Sequence, residues 1–180
     1  MTSLPGTPDP SIPRTRARRR RALVAVLVFA TLALSGCTRP LPSVSFFGNG
    51  ALVSAAPTLW CSADSTAEAL DCLATRSDAS APQMTLRPGQ GVSVNVPAAI
   101  GLAPWVVVFR FRTAAGKQEE LRSELFSSDA RQQYELKPPA TTDQLLRVEV
   151  QSGLTPMATA TGNGVDYAAL HTWVVLIVAA

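Results

Sequence analysis

Stretches in which apolar and polar residues alternate are the feature that most constrains the fold of this 180-residue chain. In GVSVNVP the three valines share one face, because successive side chains of a strand point to opposite sides. In PWVVVFRFRT one face is apolar and the other carries Arg110 and Arg112. Turn signals separate these stretches, and short strands at such spacing are typical of a sandwich. The sequence therefore predicts an all-β, antiparallel, immunoglobulin-like β-sandwich over residues 43–180.

The other strands are predicted from the same kind of pattern. Two apolar runs flank Asn49-Gly50, a pair that tolerates the positive φ angles of a tight hairpin turn. In LLRVEVQ, we expect Leu146, Val148 and Val150 to face the core. EELRSELF and QQYELK indicate weaker strands, and only TAEALDCL favours a short helix. The domain should thus contain at most a turn or two of helix.

The final apolar stretch, HTWVVLIV, differs from the others because both of its faces are apolar. It is too short to span a bilayer, which takes about 20 residues as a helix. Two interpretations remain open. The stretch is a central strand with one face in the core and the other covered by a loop, or it exposes an apolar binding surface formed by Trp173, Val175 and Ile177.

The first 36 residues have the organisation of a secretory signal peptide. A cluster of arginines over residues 14–21 precedes an apolar run, residues 22–34, that only Thr31 interrupts. The run is shorter than the about 20 residues of a transmembrane helix. Cleavage is therefore favoured over retention as a signal-anchor.

Residues 34–37, Leu-Ser-Gly-Cys, resemble a bacterial lipobox. In such a site the cysteine thiol is joined to diacylglycerol through a thioether, and small residues must precede the peptide bond that is cut. Two acyl chains, at about 0.8 kcal/mol per buried CH₂, hold a protein firmly on a membrane. The sequence predicts lipidation of Cys37, a tether over residues 37–42 and a location on the outer face of the bacterial cytoplasmic membrane.

The three cysteines can be assigned together. An odd number in an exported protein leaves one unpaired. With Cys37 assigned to lipid, Cys61 and Cys72 form an even pair in an oxidising compartment. Their spacing is not C-x-x-C and no histidine cluster accompanies them, so a structural disulfide is favoured over a redox or metal-binding pair.

The charge distribution argues against nucleic-acid binding. The full chain carries a formal charge of +3. Six of its basic residues precede Cys37, however, and from that residue onward ten Lys and Arg face twelve Asp and Glu, a net charge of −2. The remaining basic residues are scattered, without the stripe that phosphate binding requires.

Several of these features together resemble a family of short, uncharacterised actinobacterial lipoproteins catalogued as a domain of unknown function. The resemblance covers residues 43–178 and rests on the Asn-Gly hairpin, Trp60-Cys61 with Cys72 downstream, LRPGQGVSVNVP, Ala103-Pro104-Trp105, LLRVEVQ and His171-Thr172-Trp173. It implies an exported, β-rich envelope domain and carries no known activity.

We expect no enzymatic activity, cofactor or metal. The single histidine, His171, lies in a predicted strand, and no phosphate loop, nucleophile elbow or zinc motif is present in the sequence. The sequence favours a membrane-anchored module that binds or scaffolds an envelope protein or lipid. The alternative is a lipid or small-ligand carrier with an apolar cavity between the sheets, lined by Trp105, Phe109, Phe111 and the last strand.

Overall fold

The tight turn at Asn49-Gly50 forms as the sequence predicts. Both residues have positive φ, 49° and 75°, which is the type I′ geometry that matches the twist of a two-residue hairpin. The computed structural model describes residues 40–63, 70–129, 131–158 and 165–180.

Eleven strands and two short helical turns run through the described residues. The strands are β1 Val44–Gly48, β2 Ala51–Ala55, β3 Leu59–Ala63, β4 Leu70–Thr75, β5 Gln83–Leu86, β6 Val92–Asn95, β7 Trp105–Arg112, β8 Gln118–Arg122, β9 Gln133–Leu136, β10 Gln144–Ala158 and β11 Val165–Ala179. A 3₁₀ turn covers Asp78–Ser80, and α1 covers Ala98–Gly101.

The strands form two sheets. The small sheet has the order β2-β1-β6-β9, and the large sheet has the order β4-β3-β11-β10-β7-β8. Neighbours in these orders are antiparallel, while β5 pairs parallel with the second half of β11. The prediction of an all-β, antiparallel sandwich is confirmed.

The core lies between the sheets and is built from the alternating faces that the sequence indicates. Trp105, Val107, Phe109 and Phe111 of β7 are buried, whereas Arg110 on the opposite face is exposed. Small-sheet residues meet them from the other side, and one cluster of buried side chains unites both sheets.

The long final strand β11 is the central strand of the large sheet. It pairs with β10 along one side and with β3 and then β5 along the other. Trp173 and Val175 are 0% exposed and Ile177 is 7% exposed. These three side chains face the core, so the predicted apolar binding surface is wrong and the central-strand interpretation is right.

Two local expectations were also wrong. The second half of TAEALDCL belongs to strand β4, which pairs with β3 across the disulfide instead of forming a helix. In β10 a shift in register between Leu145 and Arg147 places Leu145 in the core, where the alternation predicted Leu146. The extra residue of a bulge moves a side chain to the other face.

The predicted signal peptide, residues 1–36, and the lipidation site Cys37 lie outside the described residues. Of the tether, only residues 40–42 are described. Among the helices that the structure describes, none is long and apolar enough to cross a membrane.

Candidate functional site

Phe47 and Leu52 form an exposed apolar pair on the hairpin, which we call the hairpin patch. They are partners in the β1–β2 register and lie on the outer face of the small sheet. Their neighbours Phe46 and Val53 turn inward, because side chains alternate along a strand. Phe47 is 47% exposed and Leu52 is 68% exposed, so water covers much of both side chains.

A cleft of about 330 Å³ adjoins the patch. Its lining crosses three strands of the small sheet, since Phe47 pairs with Ser93 and Ser93 pairs with Glu135. The lining residues are Phe47, Gly48, Asn49, Gly91, Ser93, Gln133 and Glu135. One aromatic ring thus borders a row of amide, hydroxyl and carboxylate groups.

A hydrogen bond and an exposed ion pair involve polar side chains of the cleft. The Gln133 Nε2 donates to Ser93 Oγ at 3.0 Å, and the Lys137 Nζ lies 3.2 Å from Glu135 Oε1. A Cβ atom at Gly91 would lie 2.4 Å from the Leu136 carbonyl oxygen, so only glycine fits beneath this row.

Hydrogen bonds also fix the hairpin turn beside the cleft. Asn49 Nδ2 donates to the Thr85 carbonyl at 3.3 Å, and Gln90 Nε2 donates to Asn49 Oδ1 at 3.4 Å. Gln90 Oε1 in turn accepts from the Arg87 amide at 2.7 Å. These bonds tie the turn to the segment around β5, so the patch is presented on an ordered backbone.

A polar cluster occupies the outer face of the large sheet. Arg147 Nε lies 2.7 Å from Asp78 Oδ2, and Arg147 also pairs with Glu149. Gln151 Nε2 donates to Glu149 Oε1 at 2.9 Å. Burial lowers the pKa of Arg147, but its hydrogen bond with Asp78 and the charge of Glu149 outweigh that effect, and the pKa is raised. The cluster holds the 3₁₀ turn against the sheet and has a structural role.

His171 lies in strand β11 at the edge of the core and contacts a neighbouring aromatic side chain. Its ring stacks on Trp60 with centroids 4.0 Å apart. Burial lowers its pKa, and a hydrogen bond with the backbone of Cys61 partly offsets that effect. Above pH 6.5 the neutral imidazole is therefore the favoured form in the folded protein.

The remaining residues that the sequence singled out are structural. Cys61 and Cys72 are directly paired in the β3–β4 register and lie at disulfide distance, so the predicted pairing is confirmed. Trp105 packs on Phe126 with ring centroids 4.4 Å apart and forms part of the core cluster. Within the described residues, no group of three or more His, Cys, Asp or Glu side chains could hold a metal ion.

Sequence reasoning missed the patch and the cleft, although one signal was present. SFFG contains two consecutive phenylalanines, and in a strand two adjacent side chains cannot both face the core. One of them had to point outward. The alternation of Val44, Ser45 and Phe46 favours Phe46 as the inward side chain and Phe47 as the outward one. The cleft depends in addition on pairing with β6 and β9, which no local pattern reveals.

Comparison with known proteins identifies a family for this fold. Residues 38–177 match the model of DUF2771, described as a protein of unknown function. The chain belongs to the DUF2771 family. The match contains the hairpin patch and the cleft, so both lie within the DUF2771 domain. No curated protein and no solved structure matches the chain.

Proposed function

We propose that this DUF2771 protein is a lipid-anchored module of the cell envelope that binds a partner through the hairpin patch and the adjoining cleft. The observation that carries this proposal is the pair Phe47 and Leu52, exposed side by side on an ordered hairpin. Exposed aromatic and aliphatic side chains beside polar groups are characteristic of binding surfaces.

The chemistry of the cleft favours binding over catalysis. Its lining brings together one carboxylate, from Glu135, with amide and hydroxyl groups. A serine hydrolase needs a base such as histidine between its nucleophile and its acid, whereas the described lining residues include no histidine and the Ser93 hydroxyl accepts a hydrogen bond from Gln133. We therefore propose an envelope protein or lipid as the partner, held by apolar contact with Phe47 and hydrogen bonds from Ser93 and Gln133.

The carrier hypothesis has less support. It assigns Trp105, Phe109 and Phe111 to the wall of an apolar cavity, yet all three are buried in the core cluster. Phe109 and Phe111 lie with ring centroids 6.1 Å apart and pack among protein side chains. Their environment is that of a packed interior.

Lipid anchoring at Cys37 is the second part of the proposal. The family match begins at residue 38, directly after this cysteine, which supports a mature chain that starts there. Anchored in this way, the domain would sit on the outer face of the bacterial cytoplasmic membrane. Cys37→Ser should abolish labelling by radioactive palmitate and release the protein from the membrane fraction. Labelling of the variant equal to wild type would refute the assignment.

The binding surface is tested by site-specific photocrosslinking in intact cells. A benzophenone amino acid at Phe47 should give a discrete adduct that the additional change Leu52→Asp removes. The same probe at Leu102, a side chain 61% exposed and outside the cleft lining, is the matched control. Identical adducts from both positions would sink the proposed surface.

A further inference from the structure

Strand β2 differs from β8, β9 and β4, the other strands that end the two sheet orders. Its sequence, ALVSA, contains neither a charged residue nor a proline. The end strands β8, β9 and β4 read QEELR, QYEL and LDCLAT, and each carries at least one charge. Strand β5, which pairs with β11, is also uncharged, but its Thr85 carbonyl accepts a hydrogen bond from Asn49. Charges and prolines on an edge strand oppose pairing with another sheet. Strand β2 lacks this protection.

The backbone of β2 offers hydrogen-bonding groups to a further strand. In a hairpin closed at Gly48 and Ala51, hydrogen-bonded and non-hydrogen-bonded pairs alternate. The N–H and C=O groups of Leu52 and Ser54 therefore point away from β1. Among the described residues, no strand pairs with this side of β2.

The positions of these groups make β2 complementary to a reversed copy of itself. An antiparallel pairing centred on Val53 sets Leu52 opposite Ser54 of the second copy, and Ser54 opposite Leu52. Four backbone hydrogen bonds result, and the small side chains of Ala51 and Ala55 meet at the two ends. No charge of β2 is placed against a like charge, which matters because a symmetric contact repeats every charge twice.

We propose that two copies of this chain pair through β2, antiparallel and centred on Val53. The two four-stranded small sheets then form one continuous sheet, and the two hairpin patches share its outer face. The contact is short, well below the roughly 1,200 Å² of a standard interface, so the association is weak and reversible. It is independent of lipidation and of what the cleft binds.

Cysteine pairs test both the contact and its register. Full-length Leu52→Cys and Ser54→Cys chains, each also carrying Cys37→Ser to remove the remaining unpaired thiol and each purified in a mild detergent, are oxidised alone and as a mixture. In the proposed register these two positions face each other with Cα atoms about 5.5 Å apart, within disulfide range. Two Leu52 positions are offset by about 8 Å, beyond the limit of about 7 Å.

The mixture should give at least fivefold more covalent dimer than either variant alone, with the new bond located by peptide mapping. Leu121→Cys, on the end strand β8 and 45% exposed, is the control in the same Cys37→Ser background and should stay monomeric. Absence of dimer in the mixture, or equal dimer in every sample, would overturn the proposal.

A proline variant provides a second readout that leaves the fold intact. The Ser54 N–H points away from β1, so Ser54→Pro removes the outward donor without breaking the hairpin ladder. We expect the variant to sediment as a monomer at concentrations where wild type and Ser54→Ala form dimers. A wild-type chain that is monomeric throughout the concentration series would contradict the inference, whereas the patch crosslinking would be unaffected.

Discussion

The outer faces of the two sheets invert the usual distribution of polarity. On the large sheet, Glu149 is only 7% exposed and its partner Arg147 has a side chain that is 17% exposed. On the small sheet, Phe47 and Leu52 project into solvent. Charge is buried where it holds the fold together, and apolar surface is exposed where nothing in the fold requires it.

The burial of Glu149 belongs to a covered part of the outer face. Its register partners on the adjacent strands, Val108 and Val174, are buried as well. A charge in such surroundings is costly unless it is paired and hydrogen-bonded. Arg147 and Gln151 supply those bonds. The large-sheet face is therefore sensitive to mutation, and the small-sheet face should tolerate change.

Arg147→Ala should have the largest effect of the changes that separate the two faces. It leaves the Glu149 carboxylate buried without its cation, which costs about 3–5 kcal/mol in the free energy of unfolding. Guanidinium unfolding monitored by tryptophan fluorescence measures the loss. Arg110→Ala is the control, since its pair with Glu120 is half exposed and contributes at most about 1 kcal/mol. Equal losses in the two variants would show that the burial is unimportant.

Asp78→Asn should have a smaller effect at the same cluster. Asp78 is 48% exposed at its side chain, so water screens its pair with Arg147. The charge is lost but the amide still accepts a hydrogen bond, and we expect a loss below about 1 kcal/mol. The same unfolding experiment measures it, with high salt reducing the difference from wild type. A loss as large as that of Arg147→Ala would contradict the ranking.

The rim of the core should make stability depend on pH through His171. The folded-state pKa is lowered below 6.5, so the unfolded chain binds the proton more tightly. The contribution is complete above about pH 6.5 and declines as pH falls toward the folded-state value. His171→Phe, which keeps a ring against Trp60, should make the urea concentration at half unfolding nearly independent of pH over this range. If that concentration changes with pH in the variant as it does in wild type, His171 is excluded as the source.

Phe47→Ser should have the smallest effect on stability. About half of the side chain is exposed, on the outer face of the small sheet, and surface substitutions usually change the free energy of unfolding by less than about 0.5 kcal/mol. Thermal and guanidinium unfolding should match wild type, while photocrosslinking from a probe at Leu52 is lost. A loss of stability above about 1 kcal/mol would mean that the patch belongs to the core.

Local patterns predicted the elements whose environment is local. Alternation identified the buried face of β7, and the Asn49-Gly50 pair fixed the turn of the hairpin. The helical propensity of TAEALDCL gave way to strand pairing with β3, because tertiary contacts override weak propensity. Alternation in LLRVEVQ leaves Glu149 on the outer face, but it does not reveal that this part of the outer face is buried. The cleft depends on the register of three strands, β1, β6 and β9, and the local sequence pattern does not determine that register.

A hydrogen bond near the start of the domain determines where a mechanical force on the N-terminal segment would act on the fold. Trp173 Nε1 donates to the Pro42 carbonyl at 2.8 Å, and Trp173 lies at the centre of β11. Force applied from the N-terminal side therefore enters the domain beside its middle strand. Cys37 precedes Pro42 by only five residues, about 17 Å when extended, and the hydrogen bond fixes Pro42 to the domain as a point about which the domain can turn. If Cys37 is held at a membrane, the domain can turn about Pro42 but cannot travel far from the lipid surface.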